Sequence, residues 1–323
     1  MRISIAIILL TITSFLSAKT SVVSQNGQLQ VIGTQLCNKN SEPVVFRGLS
    51  FGWHDSWGAF YNKKVVRVLA QDWKVSLLRA SMGVGVDNDY IKNPIYAEKC
   101  VTNVVDQAIK EGIYVIIDFH THSIFEPEAK AFFTKMATKY GKYPNVIYEI
   151  FNEPVKQSWS EVKQYSESVI ATIRAIDPDN IILVGSPHWD QDVHLAAADP
   201  ILNQINVMYT LHFYAATHKK MLRDRADGAL KTGLPIFVSE CAGMEASGDG
   251  YLDETEWNTW VDWMESRKLS WACWSVSAKV ETCSMLISEA SRTGKWKDSD
   301  IKPWGKIVKA RIVSLNKINP TTK

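Results

Sequence analysis

The sequence predicts an α/β protein folded as a single (β/α)8 TIM barrel with a short N-terminal β-hairpin. Three observations point there. Short apolar runs rich in β-branched residues recur at 44–49, 75–78, 113–119, 146–151, 181–184, 207–213, 235–239 and 270–275, eight in all. Segments of helical periodicity separate them, and parallel strands need crossovers of that length. No stretch rich in Pro, Gly or Ser divides the chain in two. The competing architecture, an open doubly wound sheet, wants a Gly-rich phosphate turn after its first strand. Arg47-Gly48-Leu49-Ser50-Phe51-Gly52 lacks the G-x-G-x-x-G spacing.

Each element has a local reason. Met1-Arg2, the apolar run 3–10 and the small residues Ser17 and Ala18 read as a secretory signal peptide over residues 1–18, which implies a secreted, extracellular protein. Thr11, Thr13 and Ser14 interrupt that run far short of the roughly 20 apolar residues of a membrane anchor, so no membrane association is expected. The catalytic domain is then 19–323. Runs 29–36 and 43–49, on either side of Asn38-Lys39-Asn40-Ser41, predict the hairpin. A helix over 96–112 closes on a glycine; one over 158–176 opens at Ser158 and stops before Asp177-Pro178. A helix over 253–267 carries Trp257, Trp260 and Trp263 on one face, spaced as core.

Composition narrows the function. The 36 Lys+Arg against 34 Asp+Glu leave a net +2, no basic field for nucleic acid. Five cysteines, none in C-x-x-C spacing, give no zinc site, and neither a metal nor a cofactor is expected. The predicted state is mostly buried free thiols with one disulfide.

In barrels of this kind the chemistry sits where strands end, so the residues just past each apolar run are the informative ones. The second run ends in Arg79, the third in Asp118-Phe119-His120, and the fourth in Asn152-Glu153-Pro154. The sixth ends in His212-Phe213-Tyr214, the seventh in Glu240, and the eighth carries Trp274. A lone strand-end glutamate is ordinarily a salt bridge. Two of them, Glu153 and Glu240, on a face crowded with polar and aromatic groups, are what acetal cleavage requires: one acid protonated, one ionised. Arg79 is placed to keep Glu240 charged, and Glu153, beside the neutral Asn152, is expected to keep its proton. Trp53 and Trp57 after the first strand, and Trp189 after the fifth, fall on the same face, where indole rings can stack on the apolar face of a sugar.

Ile150-Phe151-Asn152-Glu153-Pro154, Val238-Ser239-Glu240 and Leu211-His212-Phe213-Tyr214 resemble glycoside hydrolase family 5, most closely its bacterial-type secreted endo-β-1,4-glucanases. The likeness continues through Arg79-Ala80-Ser81-Met82-Gly83, Trp189-Asp190-Gln191-Asp192-Val193 and Trp274-Ser275, over nearly all of the chain. It implies a retaining mechanism with Glu153 as acid/base and Glu240 as nucleophile. It further implies that Arg79 and Tyr214 steer Glu240, that Asn152 bonds the sugar 2-hydroxyl and that His212 supports Glu153. His120 and Trp274 would line the same subsite, with Lys279 and Glu281 reaching a more distant glucose. The implied partner is a β-1,4-linked glucan polysaccharide acted on by a monomer.

The sequence also departs from the family pattern. Cys241-Ala242 replaces the usual Trp-Gly after the nucleophile, Cys273 replaces an Asn, and Thr121-His122 stands where Asp-His is frequent. None of these positions is expected to touch the two glutamates. A Cys241–Cys283 bridge between the seventh and eighth loops is the expected disulfide. The alternatives are a mannanase, xylanase or mixed-linkage glucanase, since fold and carboxylates serve them all. A non-catalytic glycan-binding barrel is disfavoured, because loss of turnover ordinarily shows as loss of an acid and both acids are present.

Overall fold

The computed structural model describes residues 20–316, so the signal-peptide reading of residues 1–18 lies outside it. Eight parallel strands close into a barrel. A separate antiparallel pair, β1 (Gln30–Ile32) and β2 (Gln35–Cys37), precedes it. The barrel strands are β3 (Arg47–Phe51), β4 (Leu77–Gly83), β5 (Tyr114–His120), β6 (Val146–Glu149), β7 (Ile181–Val184), β8 (Val207–Tyr214), β9 (Ile236–Ala242) and β10 (Trp271–Val276). They keep chain order around the ring, with β10 pairing β3 to shut it. Among the described residues no helix is long and apolar enough to cross a membrane.

The hairpin differs from expectation. Its turn is Gly33-Thr34, where Gly33 supplies the left-handed backbone (φ +60°) that a tight turn needs. The Asn38 carboxamide oxygen instead accepts from the backbone of Asn40 and Glu42, knotting 38–42 into a loop that leads to the barrel. The first barrel strand starts only at Arg47.

The helices obey their sequence signals. Pro94–Glu111 ends on left-handed Gly112, and Trp159–Arg174 begins at a Ser158/Glu161 capping box. In Glu254–Ser266 the indoles of Trp257, Trp260 and Trp263 are buried as one face.

Strand parity sorts the core into two layers. Leu78, Ala80 and Met82 of β4 face the helices, while Leu77 faces the barrel axis. The axis is filled at its lower end by Leu77, Tyr114, Ile116, Ile147, Leu183, Met208 and Phe237, and Leu29, Leu36 and Phe46 close it from below. One period further up, the axis-facing positions turn polar: Arg79, Ser81, Asp118, Glu149, Thr210 and His212, all buried. The same alternation that makes a packed floor therefore makes a charged layer directly above it.

Candidate active site

Arg79 organises this layer. Its guanidinium donates to both oxygens of Glu149 (2.6 and 3.2 Å), to Asn152 Oδ1 (2.6 Å) and to Glu240 Oε2 (2.8 Å), and lies 3.0 Å from Asp118. Wholly buried, it faces three carboxyl groups, not the one the sequence suggested. Burial works against its charge, but Asp118, Glu149 and Glu240 outweigh burial and push its pKa well up. Glu149 answers with a pKa lowered to about 2: burial opposes ionisation, and the Arg79 charge overcomes it.

Glu240 reaches the cleft because β9 bulges. Thr210 pairs with Phe237 but His212 pairs with Glu240, so β9 spends one residue more than β8. Consecutive residues Ser239 and Glu240 consequently both face inward. Ser239 links His212 Nε2 (2.8 Å) to Glu149 Oε1 (2.6 Å), and Glu240 takes the Arg79 ion pair and a hydrogen bond from the Tyr214 hydroxyl (2.8 Å). Cys241 then points outward, fully buried, with Sγ 3.9 Å from that of Cys273 on the paired strand. Cys283 sits elsewhere, its thiol donating to Glu281 Oε1 (3.1 Å), and all five cysteines are free. The expected Cys241–Cys283 bridge is thus incorrect: Cys241 Sγ packs beside Cys273 on β10, while Cys283 lies against Glu281.

Glu153 lies just past β6, anchored by its own N–H on Thr121 O (3.1 Å). Its surroundings are not the neutral ones expected. Oε1 meets His212 Nδ1 at 2.9 Å and Oε2 meets His122 Nε2 at 3.1 Å. Burial alone would raise its pKa, but the hydrogen bonds from His122 and His212 win and lower it. His212 moves the other way. Burial disfavours its charge, yet Asp190, Glu149 and Glu153 lift its pKa well above the ordinary imidazole value. These directions favour on the rings the proton that Glu153 was expected to hold. The sequence reading gave His122, Ser239, Asp118, Glu149 and Asp190 no role, and His122, in the Thr121-His122 pair expected not to touch the glutamates, does touch one. Strand parity would have flagged Asp118, two residues before His120, and Glu149, two residues after the axis-facing Ile147.

One carboxylate oxygen of Glu153 and one of Glu240 lie within 4.8 Å of each other and of a His212 nitrogen. Those atoms are already committed: both His212 nitrogens to Ser239 and Glu153, both Glu240 oxygens to Arg79 and Tyr214. The donor set is a hydrogen-bond network and fits no metal ion. Asn152 Nδ2, by contrast, is buried without a partner.

The pair stands at the junction of two cavities. The larger, 530 Å³, is lined by Trp53, Trp57, His120, Trp274, Lys279 and Glu281 as well as by both glutamates. The smaller, 480 Å³, is lined by Glu153, His122, Trp189, Gln191, Tyr214 and His218. His120 is fixed by Asp118 (2.6 Å), stacks on Trp274 (centroids 5.3 Å, 8°) and has its pKa lowered to about 3 by burial. Trp53 packs edge-on against it at 4.3 Å. Lys279 and Glu281 form an ion pair on the cavity wall. Trp189 is 46% exposed, carried by three successive left-handed residues, His188, Trp189 and Asp190 (φ +54°, +54° and +57°). Each such residue costs about 1–2 kcal/mol. The turn presents Trp189 to the cavity while burying Asp190 3.4 Å from His212. Every site residue named from sequence therefore lies on this one face.

A barrel with paired carboxylates at its strand ends, set in an aromatic-lined groove, defines a glycoside hydrolase of the (β/α)8 class. The family model described as cellulase (glycosyl hydrolase family 5) matches residues 37–280, and the chain belongs to that family. It is 40% identical over 99% of its length to an endoglucanase of Clostridium saccharobutylicum, spanning 73% of that protein. To endoglucanase Z of Dickeya dadantii it is 44% identical over 80% of its length, spanning 63% of that protein. Among solved structures it resembles one from Cytophaga hutchinsonii (TM-score 0.90, 42% identity, 92% of this chain and 98% of that one). It also resembles the catalytic domain of Thermobifida fusca endoglucanase Cel5A in complex with cellotetraose (TM-score 0.85, 31% identity, 91% and 99%).

Proposed function

We propose that the protein is a secreted, retaining endo-β-1,4-glucanase, in which Glu240 is the nucleophile and Glu153 the acid/base. The observation that carries this reading is the separation of the two carboxylates, whose oxygens approach within 4.8 Å. Retaining pairs stand about 5–5.5 Å apart, and inverting pairs about 6.5–9.5 Å, because those must admit a water.

A glucan chain would cross both cavities, with the bond to be cut at their junction. Glu240 attacks the anomeric carbon from its Arg79–Tyr214 cradle. The departing glycosidic oxygen takes a proton from the Glu153 carboxyl, and a covalent glycosyl–enzyme remains. Water then enters, Glu153 takes a proton from it, and Glu240 is released with the anomeric configuration restored. The unpartnered Asn152 amide is placed to bond the 2-hydroxyl in both steps. The His120 edge and the Trp274 face bound the sugar being cleaved; Trp53, Trp57, Lys279 and Glu281 serve more distant units on one side and Trp189 on the other. Cavities on both sides of the carboxylates favour internal cleavage over trimming from an end. The endoglucanase names of the relatives and the cellotetraose in the Thermobifida structure support a β-glucan as substrate.

Product release from soluble cellulose, lichenan, glucomannan and xylan, measured side by side, tests the reading. Cellulose or lichenan should lead. Dominant release from glucomannan or xylan would assign the site to a different β-glycan.

A further inference from the structure

Glu153 has two oxygens in two different environments. Oε1 is bonded to His212, a ring that is itself enclosed by Ser239, Asp190 and Glu149 at 2.8, 3.4 and 3.7 Å. That oxygen is committed to the buried hydrogen-bond network. Oε2 has His122 Nε2 as its partner, at 3.1 Å, and both residues line both cavities. The His122 side chain is 43% exposed and lines both cavities. It is held in place on two sides: the Trp53 ring lies against it at 5.6 Å, and Gln157 Nε2 donates to its backbone carbonyl (3.3 Å).

Resting on the reading of Glu153 as the acid/base, we propose that His122 is a positioning residue for the reaction: it orients Oε2 toward the glycosidic oxygen and shares with it the proton that is delivered. The sharing is symmetric in atoms. The proton resides either on Nε2, with Glu153 a carboxylate, or on Oε2, with the imidazole neutral, and moving it along the hydrogen bond changes no net charge. Only the second form protonates a leaving group; the first holds the carboxylate that must act as base when water attacks. Because the last proton leaves the pair together, the alkaline limit of activity belongs to the pair and lies no lower than that of its more basic member.

The groups facing His122 favour that arrangement. Glu153 is in contact, and Glu240 and Asp118 add negative potential from β9 and β5. His120 is the nearest ring on its own segment (6.5 Å) and stays neutral to acid pH. Across the smaller cavity stand His212, Tyr214 and His218, of which His218 has its pKa lowered to about 4 by burial. Burial of His122 disfavours its charge, but Glu153 outweighs burial and raises its pKa above the ordinary value.

The test is the pH dependence of kcat/KM on a cello-oligosaccharide for wild type, His122→Phe and His122→Gln, each shown to be folded by its circular dichroism. His122→Phe should move the alkaline midpoint down by about one pH unit or more. It should also slow the oligosaccharide while sparing the first step on an aryl cellobioside whose leaving group needs no proton. His122→Gln keeps a donor that cannot titrate, so it should recover rate at acid pH but not the alkaline midpoint. An unmoved alkaline midpoint in His122→Phe would overturn the proposal, as would a Gln variant that restores the midpoint too. Failure of the underlying assignment looks different: Glu153→Gln would then turn over the oligosaccharide normally, whatever the His122 variants do.

Discussion

The two glutamates occupy neighbouring sockets built on opposite principles. Glu240 is tied to a guanidinium, a charge that pH does not remove, and to a phenol. Glu153 is tied to two imidazoles, which unlike a guanidinium can give up a proton. The contrast matches the two tasks. A nucleophile must be a carboxylate throughout the cycle, whereas an acid/base must lose a proton in one step and regain it in the next. A permanent cation beside Glu153 would oppose the acid step; an imidazole beside Glu240 would make the nucleophile depend on pH.

The comparison can be broken most severely at its fixed side. Glu240→Gln should keep the fold and substrate binding but lower turnover about 10⁴-fold, since an amide cannot form the glycosyl–enzyme bond. Glu240→Ala with azide should restore cleavage of an aryl cellobioside and yield the azide of inverted configuration; a retained azide would point to another nucleophile. On the adjustable side, Glu153→Gln should cost about 10²–10⁴-fold on oligosaccharides. With a leaving group that needs no proton, it should release the aryl group in a pre-steady-state burst and lose the alkaline limb. Tyr214→Phe removes one hydrogen bond to a charged oxygen, about 1.5–3 kcal/mol, and so should slow kcat/KM roughly tenfold to a hundredfold without altering the alkaline limb. A changed limb there would show that the two sockets are not separable.

The smallest effect is on stability. Burial lowers the pKa values of His54, His120 and His218 to about 4, 3 and 4. Below pH 6.5 the unfolded chain binds protons that these folded rings refuse, so stability falls with pH from about 6.5 toward 4. His122 and His212 are raised, hence charged in both states over that window, and do not offset the loss. Melting curves between pH 7 and pH 4 should show Tm declining; a flat Tm would contradict the burial of these rings.

Much of this was legible in the chain. Apolar runs marked every barrel strand, and the residues at the ends of those runs included both glutamates, Arg79, His212 and Tyr214. The misses share a cause, namely dependence on a neighbour that local pattern does not reveal. A strict period of two along β9 allows Ser239 or Glu240 to face inward, but not both; only the pairing with β8 shows the bulge. The disulfide expectation failed likewise, because spacing does not reveal that Cys241 packs beside Cys273 of β10. His122 reads as one more polar loop residue until Glu153, 31 positions later, arrives beside it. The left-handed turn at 188–190 carries no glycine to announce it, and is sustained by Asp190 accepting from Ser186 N (2.6 Å) and facing His212.

Barrel closure has a consequence in time as well as in space. The seam joins β3, near the start of the chain, to β10, near its end, and Phe46 N donates to Ser270 Oγ across 224 positions. Contacts of such separation form late, after most loop entropy has been lost. β9 and β4 flank that seam, so the Arg79–Glu240 ion pair spans it and forms only once the ring has shut. During refolding, helical signal should therefore return before activity does, and a chain caught in an open intermediate would carry both glutamates and cleave nothing.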